Sequence, residues 1–241
     1  MNLWCLHGNL QLPSVWHPFS TTWTYKGKPV SLRCPNLWGN TAHDFDAWTT
    51  QFLSEVAQTP ADAPRVLLGY SLGGRLALHA VLKNPELFAG VILVGTHPGL
   101  ETETEREQQL AWDIAWGNRF LHEPWGVLFE AWDALPVFGG IPNPLQRNTI
   151  LFKRTAIAET FDRFSKGRQA NLLPLLAKLT SPPTLFISGE YDTRYRNLGN
   201  RIATACPAMT HNIVPDAGHR VPWENPDAFA QIIQVFLDQT S

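Results

Sequence analysis

A bias of charge is the first thing this sequence lacks: its 241 residues carry 19 Lys and Arg against 21 Asp and Glu. A formal net charge of −2 provides no global basic field for nucleic acid or an anionic membrane. A local cluster of arginines can still hold a small anion. Cysteine is scarce as well. Cys5, Cys34 and Cys206 lie far apart in the chain with no C-x-x-C spacing, a pattern of free thiols in a reducing compartment. No stretch approaches the roughly 18 apolar residues of a membrane helix. The opening MNLWCLHGNL has no basic n-region and its apolar run is cut at His7-Gly8, so no signal peptide is expected. There is no glycine-rich phosphate loop, no dinucleotide fingerprint, no internal repeat and no low-complexity segment. His43-Asp44-Phe45-Asp46 offers three potential metal ligands, but a polar turn capping the next helix accounts for it. The expectation is a cytoplasmic protein without cofactor, metal, nucleic-acid partner or membrane insertion.

What is present is a pattern of short apolar runs alternating with helical periodicity. LWCL (3–6), PVSLRC (29–34), RVLLGY (65–70), GVILVG (90–95), TLFISG (184–189) and HNIV (211–214) read as buried parallel strands. Residues 46–58 and 73–84 carry apolar positions at three- and four-residue spacing, and Asn225-Pro226-Asp227 is a helix start. This alternation predicts a mostly parallel, doubly wound α/β sheet flanked by helices. From about Gly99 to Leu179 no strand signal appears, although a single crossover needs only about a dozen residues. The interval holds acidic helix-like sequence, Trp112, Trp116, Trp125 and Trp132, and several prolines. It reads as an inserted helical cap, dividing the chain into a first core part (1–98), the cap (99–179) and a second core part (180–241). Its aromatics fit either the cap's own core or contact with a ligand.

The chemistry is concentrated in VLLGYSLGGRLAL, residues 66–78. A serine hydroxyl is a weak nucleophile or base unless it is exposed, given a proton acceptor and faced by oxyanion donors. Gly69-Tyr70-Ser71-Leu72-Gly73 is a G-x-S-x-G between a strand and a helix, which presents Ser71 on a sharp turn. The bland alternative is a helix-capping serine. Leu72 would give one oxyanion N–H, and Asn9, in the His7-Gly8-Asn9 loop after the first strand, the second. The partners are expected in the order Ser, acid, His. Asp192 follows strand TLFISG and His219 follows the last strand, with Glu190 and Asp216 as competing acids. Ser71, Asp192 and His219 thus form a candidate triad. Arg75, one helical turn beyond Ser71, would face the same site or solvent.

GYSLGGR, GTHPGL, RFLHEP, WDALPVF, GEYDTRY and AGHRVPWENP together resemble the MenH family of the α/β-hydrolase superfamily, over most of the chain from His7 onward. That resemblance implies an α/β-hydrolase fold and a lyase of menaquinone and phylloquinone biosynthesis. The implied reaction converts 2-succinyl-5-enolpyruvyl-6-hydroxy-3-cyclohexene-1-carboxylate into 2-succinyl-6-hydroxy-2,4-cyclohexadiene-1-carboxylate and pyruvate, with the triad as base and no acyl-enzyme. Its partner is a small-molecule polycarboxylate substrate, bound by a monomer or small homo-oligomer. The resemblance implies substrate contacts at Tyr70, Arg75, Arg106, Trp132 and Arg154. Two departures stand out: Arg106-x-x-Gln109 replaces the family's R-x-x-R, and Pro222 replaces a second histidine. The alternative enzyme class is a serine carboxylesterase of small acyl esters. A non-catalytic member of the fold would normally have lost a triad residue.

Overall fold

The computed structural model describes residues 1–241 apart from Asn40, Ala61 and Ser241. In chain order the elements are β1 (Asn2–Leu6), β2 (Thr24–Tyr25), β3 (Lys28–Pro29), β4 (Ser31–Arg33), α1 (Phe45–Ala57), β5 (Arg65–Tyr70), α2 (Leu72–Lys83) and β6 (Gly90–Val94). There follow α3 (Glu103–His122), α4 (Trp125–Asp133), α5 (Arg154–Arg163), α6 (Leu173–Leu176), β7 (Thr184–Gly189), α7 (Thr193–Ala205), β8 (Met209–Val214), α8 (Val221–Glu224) and α9 (Pro226–Gln239). Six strands form one sheet in the order β4-β1-β5-β6-β7-β8, every pairing parallel.

The inner strands β1, β5, β6 and β7 read as largely apolar runs because both their faces are covered, whereas the edge strands β4 and β8 keep exposed positions. Along β1, Trp4 and Leu6 join one core layer with Phe52 of α1 and Leu76 of α2, while Leu3 and Cys5 join the opposite layer with Trp16, Trp23 and Phe229. The two-residue period of a strand sends alternate side chains to opposite layers. α1 starts where Asp44 accepts a hydrogen bond from the Ala47 N–H at 2.8 Å, and α9 where Asn225 accepts one from Ala228 at 3.2 Å.

One strand expectation changes. The run 29–34 splits, because Pro29 has no N–H for a sheet ladder. Its first residue belongs instead to a small antiparallel hairpin (β2–β3) around Lys26 and Gly27, both at positive φ. Only Ser31–Arg33 enters the main sheet, beside β1. That register sets Cys5 next to Cys34, far apart though they are in sequence. Burial, then contact with Cys34, raises the pKa of the Cys5 thiol, and all three cysteines remain free.

Between β6 and β7 the described residues form helices and short 3₁₀ turns only. Their apolar faces build a third cluster from Trp116, Phe120, Leu128, Trp132, Phe152 and Phe161. α3 is started by a capping box: Thr102 accepts from the Glu105 N–H, and Glu105 accepts from the Thr102 N–H. Among the described residues no helix is long and apolar enough to cross a membrane.

Phe120 is fully buried at the centre of the third cluster, stacked on Phe161 with ring centroids 5.5 Å apart. Phe120→Ala is expected to cost about 3–5 kcal/mol. Faster amide exchange across 103–163 than across the strands of the sheet would locate that loss, and uniform exchange would contradict it.

Candidate active site

The site lies where loops leave β1 and β5 in opposite directions. These strands are neighbours, but the chain runs from β1 to β4 on one side and returns to β5 on the other. Such a switch point opens a crevice at the strands' C-terminal ends. β5 ends at Tyr70, α2 begins at Leu72, and Ser71 between them has φ 51° and ψ −109°. A positive φ is costly for a residue with a Cβ, so the surroundings must hold it. The Ser71 N–H donates to the Val94 carbonyl at 2.9 Å, and the Ser71 carbonyl accepts from Arg75 at 3.0 Å. A Cβ on Gly73 would run into the Leu6 carbonyl, so only glycine lets α2 lie this close to β1. The Ser71 side chain makes no capping hydrogen bond, so the hydroxyl is not spent on the helix start.

His219 follows β8, and its Nδ1 lies 2.7 Å from Asp192 Oδ2 after β7. Both are buried, at 4% and 6% exposure. Asp192 Oδ1 also accepts from the Tyr195 N–H at 3.1 Å, which fixes the carboxylate. With Nδ1–H donating to the carboxylate, the ring's Nε2 is left as the proton acceptor. The competing acids are occupied elsewhere: Glu190 accepts from the Asp216 N–H at 3.1 Å, and Asp216 accepts from the Tyr191 hydroxyl at 2.8 Å. Tyr195, Tyr70 and Phe138 surround the imidazole with centroids 4.7, 5.6 and 5.9 Å away.

Ser71 and His219 line one cavity of about 530 Å³, together with Asn9, Tyr70, Arg75 and Trp132. Asn9 stands in the β1 loop, and the Leu72 N–H is in the first turn of α2, where donors have no intrahelical acceptor. His7 anchors this loop. Its Nδ1–H donates to the Gly8 carbonyl at 2.9 Å, and its Nε2 accepts from the Leu37 N–H at 3.1 Å.

Arg75 is 7% exposed and donates to Gln169 at 3.3 Å, so it faces the interior rather than solvent. Burial lowers its pKa to about 10, with Asp113 opposing, and it stays charged at neutral pH. Gln109 lines the cavity with a neutral amide. Two expected contacts lie elsewhere. Arg106 turns back along the first turn of α3 to pair with Glu103 and the Leu100 carbonyl. Arg154 caps the end of α3 through the carbonyls of Phe120 (2.5 Å) and Glu123 (2.9 Å) and stacks on Trp125. Neither is part of the cavity wall. Sequence reasoning missed Lys166, Arg194, His97 and Asp113, which do line it. Arg194, two residues after Asp192, had a positional signal. Lys166 had none.

Asp133, next to Trp132, accepts from both terminal nitrogens of Arg147 at 2.8 Å and from Arg220 at 2.5 Å. Arg220, which follows His219, stacks on Phe138 at 3.6 Å. This ties the end of α4 to the histidine loop.

A model of the alpha/beta hydrolase family matches residues 5–232. A 2-succinyl-6-hydroxy-2,4-cyclohexadiene-1-carboxylate synthase of Serratia proteamaculans is 36% identical over 177 residues, 71% of this chain and 67% of that protein. One from Salmonella newport is 32% identical over 178 residues, 70% and 68% of the two chains. The solved structure of MenH from S. aureus superposes with a TM-score of 0.86 at 25% identity, covering 98% of this chain and 93% of that one. A thermophilic esterase from Thermogutta terrifontis gives a TM-score of 0.77 at 21% identity, over 98% and 89% of the chains, a likeness of fold alone.

The His7 anchor generates a pH dependence. Burial lowers His7 to about 4, since protonating Nε2 would cost both desolvation and the bond from Leu37. Between pH 6.5 and 4 the unfolded chain takes up a proton that the folded loop refuses, so stability falls as pH drops through that window. The loss is about 3 kcal/mol at 1.36 kcal/mol per pH unit. Urea midpoints at pH 7.0 and 4.5 should converge less in the wild type than in His7→Gln; equal acid losses in the two would refute the assignment.

Proposed function

The chain belongs to the alpha/beta hydrolase family and, within it, to the 2-succinyl-6-hydroxy-2,4-cyclohexadiene-1-carboxylate synthases, and from that premise we propose that it eliminates pyruvate from 2-succinyl-5-enolpyruvyl-6-hydroxy-3-cyclohexene-1-carboxylate. The observation that carries this reading is a buried, charged Arg75 in the same cavity as Ser71 and the Asp192-oriented His219. A triad alone serves ester hydrolysis equally well. A cation held out of water beside it, only partly offset by Asp113 and Gln169, suits an anionic substrate.

In this mechanism His219 takes the Ser71 proton, and the serine oxygen removes the ring proton next to the succinyl ketone. Asp192 stabilises the imidazolium that results. The N–H groups of Asn9 and Leu72 receive the negative charge that develops on the ketone oxygen. The electron pair moves through the ring alkene, and the C–O bond to the enolpyruvyl group breaks. That group leaves as the enolate of pyruvate and is reprotonated, while the ring gains the second double bond of the 2,4-diene. Serine never bonds to carbon. Residues 99–179 act as the cap, with Trp132 and Phe138 as apolar roof and Tyr70 packing the imidazole. Excluding water strengthens each of these electrostatic contacts.

Pyruvate release followed through a coupled dehydrogenase should be rapid in the wild type. It should fall by about ten-thousandfold or more in Ser71→Ala and His219→Ala. If the wild type releases no pyruvate but turns over short p-nitrophenyl esters and takes a fluorophosphonate on Ser71, the protein is a carboxylesterase instead.

A further inference from the structure

The cavity carries more positive charge than a proton-transfer site needs. Arg75 from α2, Lys166 from the loop after α5 and Arg194 from α7 all line it. They face two carboxylates. Asp113 is held by the Ser165 hydroxyl at 2.6 Å, and its pKa is raised by burial. Glu105 is engaged at the start of α3 by the Thr102 N–H and hydroxyl, at 3.1 and 2.9 Å. The Lys166 ammonium has no hydrogen-bond or ion-pair partner among the described residues. A structural lysine with a four-carbon stem normally carries its charge out to water. This one stays half-buried beside two guanidiniums, which is unfavourable until an anion arrives. Burial, then Arg194 and Arg75, lowers it to about 8, and Asp113 alone opposes. Gln109, beside Asp113 in the same wall, brings no charge.

We propose that Lys166 binds a substrate carboxylate, and that with Arg75 and Arg194 it forms a receptor for three separated carboxylates. The proposed substrate carries three, on the ring, the succinyl arm and the enolpyruvyl group, so the inference rests on the reading above and names which residue that reading lacked. Lys166 acts on binding, not on proton transfer.

Two readouts separate this claim from the proposed activity: pyruvate-release kinetics, and calorimetric affinity for benzene-1,3,5-tricarboxylate, a polycarboxylate that cannot react. Lys166→Met should weaken tricarboxylate binding about ten- to a hundredfold, the value of one charge-assisted contact. It should raise KM by a similar factor, with a smaller change in kcat. Lys166→Arg should bind like the wild type, and Gln109→Arg added to Lys166→Met should recover most of the loss by supplying a cation from the neighbouring wall. Between pH 7 and 9 the wild type should lose about tenfold in affinity as Lys166 deprotonates, and Lys166→Arg should not. Of the other groups facing Lys166, Arg75 is lowered only to about 10 and His97 to about 3, so neither has its midpoint in that window; burial raises Asp113 and the Thr102 contacts lower Glu105. Equal affinity and KM in wild type and Lys166→Met would overturn the inference, as would a Lys166→Arg as impaired as Lys166→Met. If the wild type releases no pyruvate while tricarboxylate binding still depends on Lys166, the activity fails and the anion receptor stands. Normal pyruvate release with an indifferent Lys166 is the reverse result.

Discussion

The close approach of Gly73 to the Leu6 carbonyl sets the serine side of the candidate site. It brings the start of α2 against the end of β1, so the loop carrying Asn9 and the turn carrying Ser71 share one crevice. That closeness leaves Ser71 at φ 51°, a conformation that the Val94 carbonyl and the first turn of α2 hold from either side. The strain is local, and the hydroxyl is left without a structural task. Asp192 and His219 then arrive from β7 and β8, strands whose order in the sheet brings their terminal loops to the same edge.

Much of this was legible in the sequence because it depends on local grammar. β5, β6 and β7 are largely apolar since both their faces are buried, and their ends are marked by the glycines and polar residues of the loops. The serine turn, the acid loop and the histidine loop each follow a strand, and strand ends can be read one at a time. Asp192 is the acid that the sequence favours over Glu190 and Asp216, and the three, all near strand termini, differ in what they touch: Asp192 meets His219, while Glu190 and Asp216 are engaged elsewhere.

What sequence could not convey is where long side chains on helices finish. Arg106 and Arg154 look like candidates for anion binding, yet each finds backbone carbonyls and a nearby carboxylate or indole within its own helical layer. Lys166 follows no motif; it reaches the cavity only because α3 and α5 pack together and turn the following loop inward. The edge strand was misjudged for a simpler reason. Pro29 interrupts hydrogen bonding in a stretch whose hydrophobicity alone reads as continuous. Likewise, Cys5 and Cys34 became neighbours through strand register, which spacing along the chain does not report.

The Asp133 carboxylate joins Arg147, and Arg220 beside His219, in one charged knot. The indole of Trp132 is its immediate neighbour in sequence, and both Trp132 and Trp112 look into the cavity. Indole emission responds to the polarity around the ring. Two of the chain's ten tryptophans therefore make the wall of this cavity a built-in optical gauge of whether it is filled with water or with a guest.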